Sequence, residues 1–117
     1  MFTCPCCGRL ALPEPLGSDG ICPVCHWHDD IDGLVFALDA VGPNKLALNN
    51  AQHEFEQLQR VPGSDETIRA MQFPLDPMWR RIVKGGDVFL RSALDYSGEE
   101  YEACVSNPIY WTGAVNG

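Results

Sequence analysis

"TCPCCGR" (residues 3–9) and "ICPVCHW" (residues 21–27) decide how this chain is read. Each carries two cysteines separated by two residues, with a proline after the first, and fourteen residues lie between Cys7 and Cys22. A Cys-x-x-Cys turn aims both sulfurs at one point. Two such knuckles brought together complete a tetrahedron around zinc, with the sulfurs about 2.3 Å from the metal. The spacer is close to the length expected of four-thiolate sites, so Cys4, Cys7, Cys22 and Cys25 are the expected ligands. Pro5 and Pro23 stiffen the two turns. Gly8 follows Cys7, where a left-handed backbone lets amide N–H groups face thiolate sulfur. Cys6 holds the variable position of its knuckle, and its side chain is expected to point into the core as a small hydrophobe.

A closed shell of four thiolates leaves no open coordination position, so the metal is expected to be structural and not catalytic. Its binding would contribute on the order of 10 kcal/mol or more to folding residues 1–33. Iron in a rubredoxin-like site uses similar knuckles, and the donor set separates the two metals poorly. A disulfide-exchange role for Cys4 and Cys7 would call for a helix start inside a thioredoxin-like strand–helix pattern, which is missing here. With four well-spaced thiolates, His26 and His28 are not needed as ligands. Asp29, Asp30 and Asp32 read as a capped, solvated loop in preference to paired carboxylates, and His53 reads as a surface residue. The sequence has no nucleophile elbow, phosphate loop or dinucleotide-binding glycine pattern. The expectation is a protein that is not an enzyme.

The bulk properties agree with an ordinary globular domain: 117 residues, 45% of them apolar, a length that suits one core. Five of the six cysteines fall within the first 25 residues and Cys104 stands alone. That clustering favours a local metal site in a reducing compartment over a framework of disulfides. The chain begins without a basic or apolar leader and has no apolar run of bilayer length, so it is expected to be soluble and cytoplasmic. The formal charge is −8, and Arg9 is the only Lys or Arg among the first 33 residues. Such a chain repels phosphate backbones. It suits solubility, or steered association with a basic protein.

Outward from the knuckles, "RLALPEPLGSDGI" (9–21) outlines a hairpin, Leu10–Leu12 returning through Gly17–Gly20 to Ile21. Leu34–Leu38 is apolar and too short to separate strand from helical turn. Ala51, Phe55, Leu58 and Val61 recur at helical spacing and predict a helix over 49–61, capped by Asn49 or Asn50 and ended by Pro62-Gly63. Ser64-Asp65-Glu66 opens a second helix. Pro77 would sit in the first turn of a third, "PMWRRIVK" (77–84). "DVFLRSAL" (87–94) is a strand or short helix, and 99–105 a further short helix. Trp27, Trp79, Trp111, Phe36, Phe55, Phe73 and Phe89 are expected in the core. In "NPIYWTG" (107–113), Tyr110 and Trp111 stand beside turn residues, where they could face a partner.

The pieces "CPCCG" (4–8), "CPVCHWHDD" (22–30), "GPN" (42–44) and "LNNAQHEF" (48–55) give residues 3–60 a resemblance to the bacterial cysteine-rich family named for its CPCC motif. His28 stands where that family commonly has an acidic residue, and residues 61–117 form an extension without a counterpart. The resemblance implies a small metal-binding bacterial protein, and an immunity role where members occur near genes for secreted toxins. The resulting expectation is a single α+β domain over 1–117. A small zinc ribbon at 1–33, two knuckles on a β-hairpin, packs on two or three helices and a few short strands. Residues 34–61 supply a strand or turn and a helix, and 62–117 the extension. Zinc sets the scaffold of a protein-binding module, an immunity protein or antitoxin, whose partner surface is placed at Asp95, Glu99, Glu100 and Glu102. The alternatives are a nucleic-acid-associated zinc ribbon, and a thiol-redox or metal-handling protein that uses Cys6.

Overall fold

The structure is a computed structural model and describes residues 1–83 and 110–112. It is a small α+β arrangement. Strands β1 (Phe2–Thr3) and β2 (Leu10–Leu12) form an antiparallel pair, followed by helices α1 (Ile31–Val35), α2 (Leu48–Gln59) and α3 (Asp65–Ala70) and a 3-10 turn at Tyr110–Thr112. The strand pairing differs from the expected one. Leu10 pairs back across the first knuckle with Thr3, and Ile21 bridges forward across the second knuckle to His28. Each knuckle is therefore closed by its own flanks, and no pairing joins Leu10–Leu12 to Ile21. Asp29 folds the spacer instead. Its buried carboxylate accepts from the Gly17 N–H (3.0 Å), the Ser18 N–H (3.2 Å) and the Ser18 hydroxyl (3.0 Å).

Asp30 caps α1 by accepting from the Gly33 N–H at 3.1 Å, so the apolar stretch after it starts as a helical turn. The aspartates thus serve as the capped loop expected of them, though Asp29 is 1% exposed and not solvated. Asn44 works like a piece of strand: its side chain accepts from the His28 N–H (3.0 Å) and donates to the His28 carbonyl (2.9 Å). That pair ties the "GPN" turn to "HWHDD".

Helix α2 starts earlier than its asparagines suggest. Ala47 is the N-cap and makes no side-chain cap bond, while Leu48, fully buried, begins the helix. Its inward face is Leu48, Gln52 and Phe55, and Leu58 and Val61 are left exposed. A polar residue at the centre of the buried stripe is the difference. The Gln52 amide donates to the Pro5 carbonyl (2.9 Å) and the Tyr110 hydroxyl (2.6 Å), and its oxygen accepts from the Ile82 N–H (3.0 Å). Ser64 caps α3 as expected, accepting from the Thr67 N–H (3.1 Å). The Ser64 and Thr67 hydroxyls also donate to the Leu58 and Gln59 carbonyls (3.0 and 2.6 Å), closing the end of α2.

No helix forms over residues 77–83. The Asp76 carboxylate accepts from the Met78 N–H (2.9 Å) and the Thr3 hydroxyl (2.6 Å), which holds Pro77 in a turn. The backbone beyond it finds partners in side chains: Tyr110 donates to the Arg80 carbonyl (2.6 Å) and Gln52 takes the Ile82 N–H. Tyr110 and Trp111 are 1% and 5% exposed and meet edge to face, so these two aromatics belong to the core and not to a partner surface. Trp27 and Phe55 are core residues too, with Trp79 and Phe73 packed partly against them. The segments expected at 87–94 and 99–105, and Phe89 and Cys104, lie outside the described residues.

Gln52 holds three separate segments together, so its loss leaves the Ile82 N–H without its partner and takes one of two partners from both the Pro5 carbonyl and the Tyr110 hydroxyl. Gln52→Leu is expected to cost about 3 kcal/mol, read as a lower denaturant midpoint of the full chain. A loss below about 1 kcal/mol would contradict this role.

Candidate metal centre

The two knuckles repeat one another bond for bond. Cys4 N–H donates to the Arg9 carbonyl and Cys22 N–H to the Trp27 carbonyl, both at 2.9 Å. Gly8 N–H closes on the Cys4 carbonyl at 2.8 Å and His26 N–H on the Cys22 carbonyl at 2.9 Å. The residue after the second cysteine is left-handed in both, with φ of 76° at Gly8 and 65° at His26. A Cβ at Gly8 would run into the Trp79 indole ring, so this position excludes other residues on two grounds. His26 takes the same conformation at a steric cost that histidine bears better than most residues.

Polar groups from the rest of the chain grip the knuckle backbone. The Pro5 carbonyl accepts from Gln52 and, at 3.1 Å, from the Trp79 indole N–H. Arg69 on α3 donates to the Val24 carbonyl at 2.8 Å. Asp76 N–H donates to the Gly8 carbonyl and Leu10 N–H to the Pro74 carbonyl, both at 2.9 Å, so residues 74–76 lie alongside the first knuckle through a single antiparallel bridge between Arg9 and Leu75. Gln52, Arg69 and Trp79 are functional positions that the motif reading missed. Only Gln52 left a signal, as a polar residue four places after Leu48 and three before Phe55.

Held in this way, the sulfurs of Cys4, Cys7, Cys22 and Cys25 all lie within 4.8 Å of one another. Cys4 and Cys25 are 3.5 Å apart, and Cys7 and Cys22 3.8 Å. Four sulfurs placed tetrahedrally about 2.3 Å from one metal are separated by about 3.8 Å, so the set can hold a metal ion. Cys4 and Cys22 are fully buried and Cys7 nearly so, leaving Cys25 as the partly exposed member. The Val24 N–H points at the Cys22 sulfur from 3.4 Å, the amide-to-sulfur contact such knuckles use. Cys6 is 4% exposed and belongs to the apolar core, as its position implied. Neither His26 nor His28 joins the sulfurs: His26 is exposed and His28 pairs with Asp19 at 3.3 Å. Asp95, Glu99, Glu100 and Glu102 lie outside the described residues.

As thiols, these groups compete for charge. Burial pushes the Cys4 thiol up. Cys25 is pushed up mainly because it donates its proton to Cys22. Cys22 is driven far down, since Cys25, Cys4 and Cys7 all donate to it. The protein alone therefore favours charge at Cys22 over Cys4 and Cys25, whereas a bound cation would favour thiolate at all of its ligands.

The family model described as cysteine-rich CPCC matches residues 2–68. This chain belongs to that family. No curated protein and no solved structure matches it. The CPCC span contains all four clustered cysteines together with Asn44 and Gln52. It ends one residue before Arg69, and Trp79 and Tyr110 also lie beyond it.

Cys4→Ser is expected to abolish metal retention, and Cys6→Ser to leave the metal content per chain unchanged, as elemental analysis of each purified variant would read. If Cys6→Ser alone empties the protein, the wrong sulfur has been assigned. Loading must also displace the protons that Cys4 and Cys25 hold above the usual thiol range. Affinity should therefore rise with pH and fall as pH drops through neutrality, measured by competition with a chelator at several pH values. A pH-independent affinity would contradict four thiolate ligands.

Proposed function

We propose that the two knuckles close on one zinc ion as a structural zinc ribbon, and that the domain built on it binds another protein without catalysing a reaction. The observation that carries this reading is the convergence of four sulfurs, three of them buried, at spacings that suit a tetrahedral ion. Zinc suits an all-thiolate tetrahedral shell, and when bound it supplies the charge that lets four buried thiolates coexist. Such a shell leaves no position for substrate. Asp29 and Asp30, which follow the second knuckle, are engaged in loop closure and capping.

Protein binding is supported by apolar side chains left in water along the end of α2 and through α3. Leu58, Val61, Ile68 and Met71 are 42%, 54%, 51% and 77% exposed, apolar surface that a partner could cover. The formal charge of −8 favours a basic partner and disfavours nucleic acid. In the narrower form of the reading the partner is a bacterial toxin, neutralised in the cytoplasm, and the chain is an immunity protein or antitoxin. That form rests on the family resemblance.

Two measurements test the two halves. Purified protein should carry one equivalent of zinc, and a strong chelator should abolish its cooperative unfolding transition. Protein that folds equally well without metal would refute the structural role. Co-expression with the products of neighbouring genes should yield a stable complex and, for a toxin, restored growth. Failure to bind or protect against any of them would refute the immunity reading.

A further inference from the structure

Cys6 is a fifth sulfur beside the four. It is 4% exposed, bonded in sequence to Cys7, and makes no contribution to the tetrahedral set. Two cavities reach it. One, of about 270 Å³, is lined by Cys6 and Cys25 together, with His26, Trp27 and Phe55 among its walls. The other, of about 370 Å³, meets Cys6 and Cys7 from the side of Arg9, Trp79 and Arg81. Within the first cavity, Cys25 is the least buried of the four clustered sulfurs. The pair that shares an opening to solvent thus consists of one candidate ligand and one spare thiol.

We propose that Cys6 and Cys25 form an oxidation site, a peroxide-driven disulfide that removes Cys25 from the metal centre. This rests on the metal-binding reading above and adds regulation to it. The Cys25 thiolate attacks one oxygen of a hydroperoxide, the O–O bond breaks, and hydroxide leaves with a sulfenic acid remaining on Cys25. The Cys6 sulfur then attacks the sulfenic sulfur. Its proton and the departing hydroxide leave as water, and the S–S bond forms. Two electrons, one from each sulfur, reduce one peroxide. The centre keeps three thiolates and its hold on the ion weakens, and a dithiol reductant reverses the change.

Cys4 is the nearest competitor, 3.5 Å from Cys25. It is fully buried, and it is itself one of the four sulfurs of the candidate shell. Cys6 is also buried, at 4% exposed, but it is not one of those four. Its bond to Cys25 would cost the centre no second sulfur, and it lines the same cavity as Cys25.

The test treats the metal-loaded full chain and its Cys6→Ala variant with hydrogen peroxide, following metal release with a chelating dye and mapping disulfides by peptide mass spectrometry. The unmodified chain should release metal as a Cys6–Cys25 disulfide accumulates, and regain metal binding after reduction. Cys6→Ala should hold its metal severalfold longer. A disulfide between Cys4 and Cys25, or within either knuckle, as the first product from the unmodified chain would overturn the proposal. So would equal release rates in the two forms. Protein that carries no metal before peroxide would instead overturn the metal centre itself, so the two failures are told apart.

Discussion

Four sulfurs must be brought to one point by two turns that have almost no regular structure of their own. Each knuckle runs four residues from cysteine to cysteine and is closed by a backbone pair on its flanks. That closure satisfies the cysteine N–H and carbonyl groups and leaves other knuckle carbonyls without partners. The remainder of the chain supplies them: Gln52 and Trp79 for Pro5, Arg69 for Val24, and the Asp76 amide for Gly8. Buried carbonyls require such partners. The helices and the segment after them are therefore positioned as much by polar contacts to the knuckles as by packing against them.

This arrangement explains how so short a chain accommodates a cysteine cluster in its interior. The sulfurs lie in the same apolar cluster as Leu12, Val24, Leu34, Leu48 and Phe55. Burial opposes charge on them, and their mutual hydrogen bonds draw charge toward Cys22 and away from Cys25. A bound dication would change that balance, and its binding energy would become folding energy for a first knuckle whose strands are two and three residues long and a second closed by a single bridge. The stretch 73–82, beyond the family span, contributes to the same end. Through Asp76, Trp79 and Ile82 it covers the first knuckle and the buried amide of Gln52.

What was legible in the sequence follows from how local the governing physics is. The Cys-x-x-Cys pairs, Gly8 after Cys7, and the Ser64 cap each depend on a few adjacent residues, and the structure places them as read. The register of α2 was misread because helical spacing identifies a face without saying where the core ends. Leu58 and Val61 continue the stripe past the last buried layer, while Gln52 sits inside it with its partners on distant segments. The helix expected at 77–84 has favourable spacing, but in the described part, up to residue 83, side chains from Thr3, Gln52 and Tyr110 take up groups a helix would need. The turn residues beside Tyr110 and Trp111 suggest a place where they could face a partner, although Trp111 is also expected in the core. The buried Tyr110 hydroxyl finds its partners in Gln52 and Arg80, which lie 58 and 30 residues away in sequence. Long-range polar pairing of this kind leaves little trace in composition or period.

The central claim is that two repeated knuckles hold one metal ion through four cysteine sulfurs. X-ray absorption spectroscopy of the purified full chain at the zinc edge tests it directly. The account predicts a single shell of four sulfurs at about 2.3 Å with no nitrogen or oxygen ligand. A shell containing nitrogen or oxygen would bring a histidine, carboxylate or water into the site and contradict it, as would protein that holds no metal at all.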